Sequence, residues 1–234
     1  MNLTPELRTK LAQISTATLT TVLLKKGVRS AFMRGPKPLA SGHGRIVGEA
    51  FTLRFVPARE DLATPESWAS PRSTRGAIEE MPEGCVCIAD AMGITSAGIF
   101  GDILCARMAV RKVAGLVTDG AVRDADGVNA TKLPVWCAAV AAPPSVAGLT
   151  FVNWQEPIGC GGVAVFPGDT IVADNDGAVC VPKALLEAVV KEAVDQEAFE
   201  AWAAEEAMKG AKLPGLYPPN EETKARYAAL KGKS

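Results

Sequence analysis

Histidine is nearly absent from this chain, since the 234 residues contain only one, His43. A single histidine leaves almost no material for a catalytic triad or for a histidine-rich metal site. It stands in a Gly-His-Gly stretch, the kind of short polar loop that lies at the surface. We therefore expect His43 to be exposed rather than catalytic.

Long apolar runs and long basic runs are also missing. No run approaches the ~18 apolar residues that a membrane span requires, and the first residues lack the basic start and apolar stretch of a signal peptide. The net charge is −1 and the 25 basic residues are scattered, so the electrostatic footprint of nucleic-acid binding is absent. We predict a cytoplasmic protein that binds neither membranes nor nucleic acids.

The cysteines are few and dispersed in apolar contexts, as core thiols of a protein in a reducing compartment would be. Cys85 and Cys87 would share one face of a strand, but no second pair at zinc-ligand spacing accompanies them. A structural zinc site is therefore not expected. The chain carries six cysteines: Cys85, Cys87, Cys105, Cys137, Cys160 and Cys180.

The composition is that of an ordinary globular protein, with 48% apolar and 22% charged residues. The chain is long enough to form one well-packed domain. Helix–strand units come first, then hairpin-linked strands, then a long helical stretch, which predicts an α/β or α+β layered domain with a mixed sheet. Three prolines prevent the tail over 212–234 from forming one helix. The pattern predicts helices over 5–26 (closed by Gly27), 72–80, 103–113 and 182–209, a loop over 58–70, and strands over 45–55, 85–89, 116–118, 133–140, 163–166, 170–173 and 178–181.

Gly101-Asp102 opens one of these helices. If Asp102 caps the helix, the backbone N–H groups of Ile103, Leu104 and Cys105 have no partner within the helix. Together with the helix dipole they would attract a carboxylate or a phosphate. On spacing alone, a capped helix without any ligand is the simpler interpretation.

Arg123-Asp124 follows a buried strand and a glycine turn, where loop-borne functional groups commonly lie. Arginine can bind a carboxylate through two hydrogen bonds, and aspartate is a hard oxygen ligand suited to Mg²⁺ or Mn²⁺. A local ion pair is an equally good explanation of these two residues alone. Asp126, close behind them, is a further acidic candidate.

Two other patterns suggest chemistry less strongly. The stretch 159–162, Gly-Cys-Gly-Gly, resembles a phosphate-binding loop but lacks a following Lys-Ser/Thr, so it favours a tight turn. Lys112 and Lys132 stand in polar surroundings, without the apolar setting that lowers the pKa of a Schiff-base lysine. No glycine-rich strand–loop–helix followed by an acidic ribose ligand supports a methyltransferase.

The spacing of the acidic and basic residues is more specific than any single turn. Asp102, twenty intervening residues and then Arg123-Asp124 resemble the signature of the RraA-like family. That family includes metal-dependent aldolases acting on 4-hydroxy-4-methyl-2-oxoglutarate and 4-carboxy-4-hydroxy-2-oxoadipate, and a regulator of RNase E activity. The resemblance runs from about Leu7 to Val190 and includes the 44–55 strand, the 82–90 strand, Gly98-x-x-Gly-Asp102, Gly120-x-x-Arg-Asp124 and Pro167-Gly-Asp169.

The resemblance implies a β/β/α layered sandwich, a homotrimer or a dimer of trimers, and active sites at subunit interfaces. Residues 1–190 would form the catalytic domain. Residues 191–234 would form a C-terminal helical extension that packs on a neighbouring subunit. The substrate would be a small 2-oxo acid, and the cofactor would be Mg²⁺ or Mn²⁺.

The resemblance also implies roles for individual residues. Asp124 would bind the metal, with Asp102 and Asp126 as candidates for its outer shell. Arg123 would contact the pyruvyl group, and Asp102 would position a water molecule. The residues implied are Asp102 and Arg123 for catalysis, and Gly101, Ile103, Leu104 and Arg123 for substrate binding.

One position departs from the family pattern. The family often continues Arg-Asp-x-x-Glu/Asp, whereas Asp126 comes one place early here and Gly127 occupies the usual acidic position. One outer-shell ligand is therefore in question. Such aldolases also take an acid from the C-terminal extension of a neighbouring subunit, and the extension of this chain offers Tyr217, Glu221 and Glu222.

Together these features predict a class II pyruvate aldolase, a carbon–carbon lyase that cleaves a 4-hydroxy-2-oxo acid to pyruvate and a carbonyl product. Because oxaloacetate decarboxylation passes through the same enolate, we expect that activity too. The alternative is a non-catalytic protein-binding module similar to the RNase E regulator. A Schiff-base aldolase would be distinguished from the metal-dependent one by borohydride trapping.

Overall fold

A long strand, Ile46–Pro57, lies at the centre of the mixed sheet seen in the computed structural model, which describes residues 3–231. Its first part pairs antiparallel with Thr170–Ala173, and its middle pairs parallel with Val86–Asp90. Within the described residues this sheet has nine strands, and four further strands form two separate two-stranded sheets. The strands are β1 (Phe32–Met33), β2 (Lys37–Pro38), β3 (Ile46–Pro57), β4 (Val86–Asp90), β5 (Gly115–Thr118), β6 (Ala121–Val122), β7 (Val135–Cys137), β8 (Ala139–Val140), β9 (Leu149–Trp154), β10 (Ile158–Cys160), β11 (Val163–Val165), β12 (Thr170–Ala173) and β13 (Ala178–Val181).

The order in the sheet is β1-β13-β12-β3-β4-β5-β7-β2, and β9 also pairs with β3. Neighbours among β3, β4, β5 and β7 are parallel, whereas the other pairs in this sheet are antiparallel. The predicted α+β fold with a mixed sheet is confirmed.

The helices are α1 (Pro5–Leu11), α2 (Thr16–Lys25), α3 (Thr74–Glu80), α4 (Asp102–Val110), α5 (Ala125–Ala130), α6 (Leu186–Met208) and α7 (Glu221–Lys231), with short 3-10 turns at Pro65–Ala69, Ser145–Ala147 and Lys183–Leu185.

Buried side chains pack against both faces of the sheet. One cluster joins the parallel strands to α3 and α4 through residues such as Phe55, Met81 and Met108. Another lies under the β10–β11 hairpin and includes Ile158 and Trp136. Burying each large apolar side chain contributes about 1.5–3 kcal/mol, so these clusters hold the loops beyond β4 and β5 on a rigid base.

The predicted helix over 5–26 is wrong as a single element, because the chain breaks between α1 and α2. Ser15 is the N-cap of α2, and its side chain accepts a hydrogen bond from the Thr18 amide. The Thr16 amide and hydroxyl donate to Asp174, which supplies the amide with the acceptor that a continuous helix would have provided. Apolar spacing alone does not reveal such a cap. Gly27, with φ +85°, ends α2 as predicted.

Other expectations are refined rather than reversed. The predicted strand over 133–140 consists of two short strands, β7 and β8. The predicted loop over 58–70 contains a 3-10 turn. The sequence analysis did not predict strands β1, β2, β6, β9 and β10 or helix α5. Gly161 and Gly162 have positive φ and form the tight turn between β10 and β11, so the turn interpretation of 159–162 is confirmed.

The tail is not one helix, as the prolines predicted, and α7 begins at Glu221. Helix α6 runs across the predicted boundary at residue 190, and its first half packs against α1 and α2. The tail returns to α6 of the same chain, where Phe199, Trp202 and Tyr227 form an aromatic cluster. The domain boundary and the packing on a neighbouring subunit stay predictions. Over residues 3–231, no helix is both long and apolar enough to cross a membrane.

Candidate functional site

The loops that follow β4 and β5 pair with each other beyond the carboxyl ends of these parallel strands. The Ile99 amide donates to the carbonyl of Ala121 at 2.9 Å, and the Arg123 amide donates to the carbonyl of Phe100 at 2.8 Å. This pairing brings Gly101-Asp102 beside Arg123-Asp124, although twenty residues separate Asp102 from Arg123. Ligand sites in open sheets of this kind lie in the same place, outside the carboxyl ends of the strands.

Two glycines permit the close approach of these loops. A Cβ on Gly98 would lie 2.7 Å from the Cβ of Arg123, and a Cβ on Gly101 would lie 2.6 Å from Oδ2 of Asp124. Atoms cannot approach so closely without moving the neighbouring groups. Glycine at 98 is therefore required by the Cβ and backbone of Arg123, and glycine at 101 leaves the side chains of Arg123 and Asp124 in their present positions.

Arg123 and Asp124 form the local ion pair that the sequence left open. Arg123 Nε lies 3.1 Å from Asp124 Oδ2, and the side chains are 36% and 44% exposed. Asp124 adopts the left-handed conformation (φ +54°, ψ +46°) and is the N-cap of α5; aspartate tolerates this region better than most residues. Because solvent screens a partly exposed pair, the pair leaves both groups able to bind a ligand.

The interpretation of Asp102 as the cap of α4 is wrong by one residue. Gly101, in an extended conformation, is the N-cap, and Asp102 is the first helical residue. The Asp102 carboxylate instead accepts a hydrogen bond from the Ile103 amide, with Oδ1 2.7 Å from the nitrogen. The N-terminus of α4 still faces the cleft. Of the two residues there that were predicted to bind substrate, Ile103 and Leu104, the first already donates its amide hydrogen to the Asp102 carboxylate.

These residues line one cleft of about 240 Å³. All the predicted catalytic, substrate-binding and metal-binding residues except Asp126 lie on its wall; Asp126 is exposed on α5 and does not line the cleft. The sequence analysis did not find five further lining residues, because they come from a polar loop, from α3 and from a proline turn without distinctive spacing. They are Trp68, Thr74, Arg75, Pro144 and Ser145.

The carboxylates that line the cleft fit a hard divalent cation that takes most of its ligands from water and substrate. Among residues 3–231, no group of three or more His, Cys, Asp or Glu side chains could by itself hold a metal. The cleft does present Asp102 and Asp124 together. Mg²⁺ commonly binds through one or two carboxylates and completes its octahedron with water and substrate oxygens.

Asp119, at the end of β5, has a structural role. Its two carboxylate oxygens accept hydrogen bonds from the amides of Ala91 and Gly161, at 2.8 Å and 3.1 Å. Burial raises the pKa of this carboxyl, against the opposing effect of these amides. Asp119 thus ties the loop after β4 to the turn of the β10–β11 hairpin. Lys112 lies outside the cleft and pairs with Glu83 at 3.1 Å.

A model of the Aldolase/RraA family, RraA-like, matches residues 12–180. The chain belongs to the RraA-like family. Its cleft is built from the same residues that carried the resemblance in the sequence, Asp102 and Arg123-Asp124. Family membership and the mixed-sheet fold are therefore established together.

This RraA-like chain is similar to proteins with different names. Protein DlpA of Legionella pneumophila is 28% identical over 190 residues, which are 81% of this chain and 30% of DlpA. The 4-hydroxy-4-methyl-2-oxoglutarate aldolase of Thermus thermophilus is 32% identical over 61% of this chain and 79% of that protein. The chain is also similar to Streptomyces coelicolor RraAS2, whose crystal structure is described as that of an unusual member of the RNase ES inhibitor RraA protein family. The two sequences are 34% identical, and the structures superpose with a TM-score of 0.77 over 87% of this chain and 98% of RraAS2.

Proposed function

We propose that this protein is a divalent-metal-dependent aldolase that cleaves a 4-hydroxy-2-oxo acid to pyruvate and a carbonyl product. The observation that carries the proposal is the single cleft in which the N-terminus of α4, the Arg123 guanidinium and the carboxylates of Asp102 and Asp124 meet. A pyruvyl group needs hydrogen-bond donors for its carboxylate and for the oxygen that becomes negative in the enolate. It also needs carboxylates that can bind a cation and hold the water molecule that carries the proton. The similarity to the Thermus thermophilus aldolase supports the same activity.

In this proposal the chain first orients the substrate. The amide of Leu104, in the first turn of α4, faces the cleft without an acceptor inside the helix, and it would receive the substrate's 1-carboxylate. The Ile103 amide would join it by exchanging the Asp102 oxygen for a substrate oxygen. Arg123 would donate to the 2-oxo oxygen, because its side chain lines the same cleft.

Cleavage requires a proton to leave the 4-hydroxyl group as the C3–C4 bond breaks. The bonding electrons pass to C3 and the 2-oxo oxygen, which gives the pyruvate enolate and a carbonyl group at C4. Arg123 would stabilise the charge on that oxygen; removing one such donor typically costs about 10²–10³ in rate. A water held by Asp102 would accept the hydroxyl proton and then return a proton to C3, which completes pyruvate.

Asp124, with Asp102 nearby, would hold the divalent cation. When bound, the cation supplies Lewis-acid polarisation of the 2-oxo group. The same positioning serves oxaloacetate, whose loss of CO₂ gives the same enolate. We therefore propose oxaloacetate decarboxylation as a second activity of the site.

The test is pyruvate release from 4-hydroxy-2-oxo acids and from oxaloacetate, with Mg²⁺ or Mn²⁺ and after EDTA. We expect EDTA to abolish turnover and added metal to restore it. Arg123→Ala and Asp124→Ala should each lower kcat/KM by about 10²-fold or more. Matched controls are Arg107→Ala and Asp61→Ala, which remove exposed ion pairs outside the cleft. Full activity in either site variant would overturn the proposal.

A second candidate, a protein-binding regulator of an RNase, is favoured by the 34% identity to RraAS2. Such a function would depend on a surface and would tolerate loss of Asp124. Binding of an RNase that persists in Asp124→Ala, together with no turnover of any oxo acid, would favour the regulator over the aldolase.

A further inference from the structure

Two hydrogen bonds within the cleft join groups of opposite roles. Arg123 Nε donates to Asp124 Oδ2 at 3.1 Å, and the Ile103 amide donates to Asp102 Oδ1 at 2.7 Å. In each pair the donor is a group assigned above to the oxo acid, and the acceptor is a carboxylate assigned to the cation or to a water molecule. The anion-binding donors and the cation-binding acceptors of the cleft are thus bonded to each other.

The charges of Arg123 and Asp124 balance within this pair. Over residues 3–231, neither side chain forms an ion pair with any other group. The pair also lies directly over Gly101, where a Cβ would be 2.6 Å from Asp124 Oδ2 and 3.2 Å from Arg123 Cγ. A ligand that takes one member of the pair therefore leaves the other member charged, and without its partner, in the same cleft.

This arrangement works against the binding of either ligand alone. A cation that binds Asp124 takes the acceptor of Arg123 and comes close to a positive guanidinium. An oxo acid that binds Arg123 takes the donor of Asp124 and comes close to a negative carboxylate. Like charges repel at such short separations. When both ligands bind, each member of the pair gains a new partner of opposite charge, and the pair is broken only once.

The exposure of the pair sets the size of the effect. The Arg123 and Asp124 side chains are 36% and 44% exposed, so solvent screens their interaction. Coupling between two ligands typically changes their affinities by about 5- to 150-fold. For a screened pair we expect the lower part of that range, about 5- to 10-fold.

We propose that the Arg123–Asp124 pair makes binding of the divalent cation and of the 2-oxo acid mutually dependent, so that each binds weakly alone and more tightly with the other. This inference rests on the proposed aldolase function, since the two ligands are those of that reaction. Linkage requires the factor to be the same for both ligands. The concentration of metal that turnover requires therefore falls as the concentration of the oxo acid rises.

Binding of Mn²⁺ and pyruvate to the full chain tests the coupling without turnover. Mn²⁺ binding is followed by the electron paramagnetic resonance signal of the free ion, with and without pyruvate. Pyruvate binding is measured by isothermal titration, with and without Mn²⁺. We expect each ligand to tighten the binding of the other about 5- to 10-fold. An affinity for Mn²⁺ that does not change with pyruvate would overturn the inference.

Two variants separate the effect of the pair from direct contact between the ligands, which would also couple them. Arg123→Gln removes the group that competes with the cation for Asp124, so Mn²⁺ alone should bind about 5- to 10-fold more tightly than to the parent protein. Asp124→Asn removes the charge that holds Arg123, so pyruvate alone should bind more tightly by a similar factor. Direct contact between the ligands predicts neither gain, and the absence of both gains in folded variants would overturn the inference.

Arg75→Gln is the matched control for the loss of a positive charge. Arg75 lines the same cleft and lies over the Trp68 ring, and in the described part of the chain it forms no ion pair with a carboxylate. This variant should leave the affinity for Mn²⁺ unchanged. A gain as large as that of Arg123→Gln would show that the total charge of the cleft matters and not the pair, which would overturn the inference.

Turnover separates this inference from the proposed function. Pyruvate release from 4-hydroxy-2-oxo acids by the parent protein is measured beside the binding titrations. Metal-dependent release with independent binding of Mn²⁺ and pyruvate would overturn the coupling and leave the aldolase standing. Coupled binding without turnover of any oxo acid would overturn the aldolase and support the coupling. The absence of both Mn²⁺ binding and turnover would overturn both.

Discussion

Gly127 lies directly against the side chain of Asp102: a Cβ on Gly127 would be 2.7 Å from the Cβ of Asp102 and 2.9 Å from its Oδ2. This contact lies at the one position that departs from the family pattern, in which an acid often stands. Here the space that such a side chain would enter is already occupied by Asp102. The start of α5 can therefore approach the start of α4 only because residue 127 is a glycine.

The first prediction concerns Gly127→Ala. Alanine is favoured over glycine inside a helix by about 0.8–1 kcal/mol, but overpacking costs about 1–3 kcal/mol, and the clash involves the Asp102 Cβ, which is close to the backbone. We expect a net loss that lowers the Tm by a few degrees, since ~1 kcal/mol corresponds to about 2–4 °C in a chain of this size. Pyruvate release should fall as well, because Asp102 moves.

Thermal unfolding and pyruvate assays check this, with Gly159→Ala as the control. A Cβ on Gly159 has nothing within 4 Å, so this variant should keep the Tm and activity of the parent protein. An unchanged Tm and rate in Gly127→Ala would contradict the prediction.

The second prediction concerns Gly101→Ala, in which the new Cβ would meet Asp124 Oδ2 at 2.6 Å and Arg123 Cγ at 3.2 Å. Both are side-chain atoms that can yield, so we expect little change in stability. Displacing the two groups by about 1 Å should nevertheless lower kcat/KM by about 10². Far-ultraviolet circular dichroism and pyruvate release distinguish this result from misfolding; a variant with the parent rate would show that the two side chains need no fixed position.

The third prediction concerns the pH dependence that Asp119 imposes on stability. Burial raises the pKa of this carboxyl in the folded protein above its value in the unfolded chain. The folded state therefore binds the proton more tightly, and the contribution of Asp119 is largest at low pH and is lost as pH rises through the folded-state pKa. The free energy of unfolding of the parent protein minus that of Asp119→Asn should thus decrease with rising pH. Urea unfolding at several values between about pH 4 and pH 7 measures it, and a difference that grew with pH would contradict the sign.

The fourth prediction concerns the cysteines, all six of which are buried and free of disulfides. Burial raises the pKa of Cys85 to about 12 and that of Cys105 to about 12. Because the thiolate is the reactive form, we expect no reaction with an aromatic disulfide reagent at about pH 8 in the native protein. After denaturation the reagent should count six thiols. Rapid modification of the native protein would show that a thiol is accessible.

Local patterns predicted the parts of this protein that depend on short-range rules. The turns at Gly27 and at Gly161-Gly162 are confirmed because glycine tolerates positive φ, as these positions require. The break before Ser15 was not predictable in the same way, since it depends on Asp174, more than 150 residues away, accepting from Thr16. The sequence analysis missed strand β9, in which every residue except Leu149 is partly buried, because buried and exposed side chains do not alternate along it.

The sequence by itself predicted the family, the mixed α+β architecture and the cleft residues Asp102, Arg123 and Asp124, because these three stand at the family's spacing around glycine turns. Only the tertiary structure decided which distant groups share that cleft. Arg75 and Trp68 arrive there through the packing of α3 and its preceding turn, and the contact between Gly127 and Asp102 is seen only in the folded chain. Such placements depend on van der Waals distances between separate segments, which spacing along one chain does not encode.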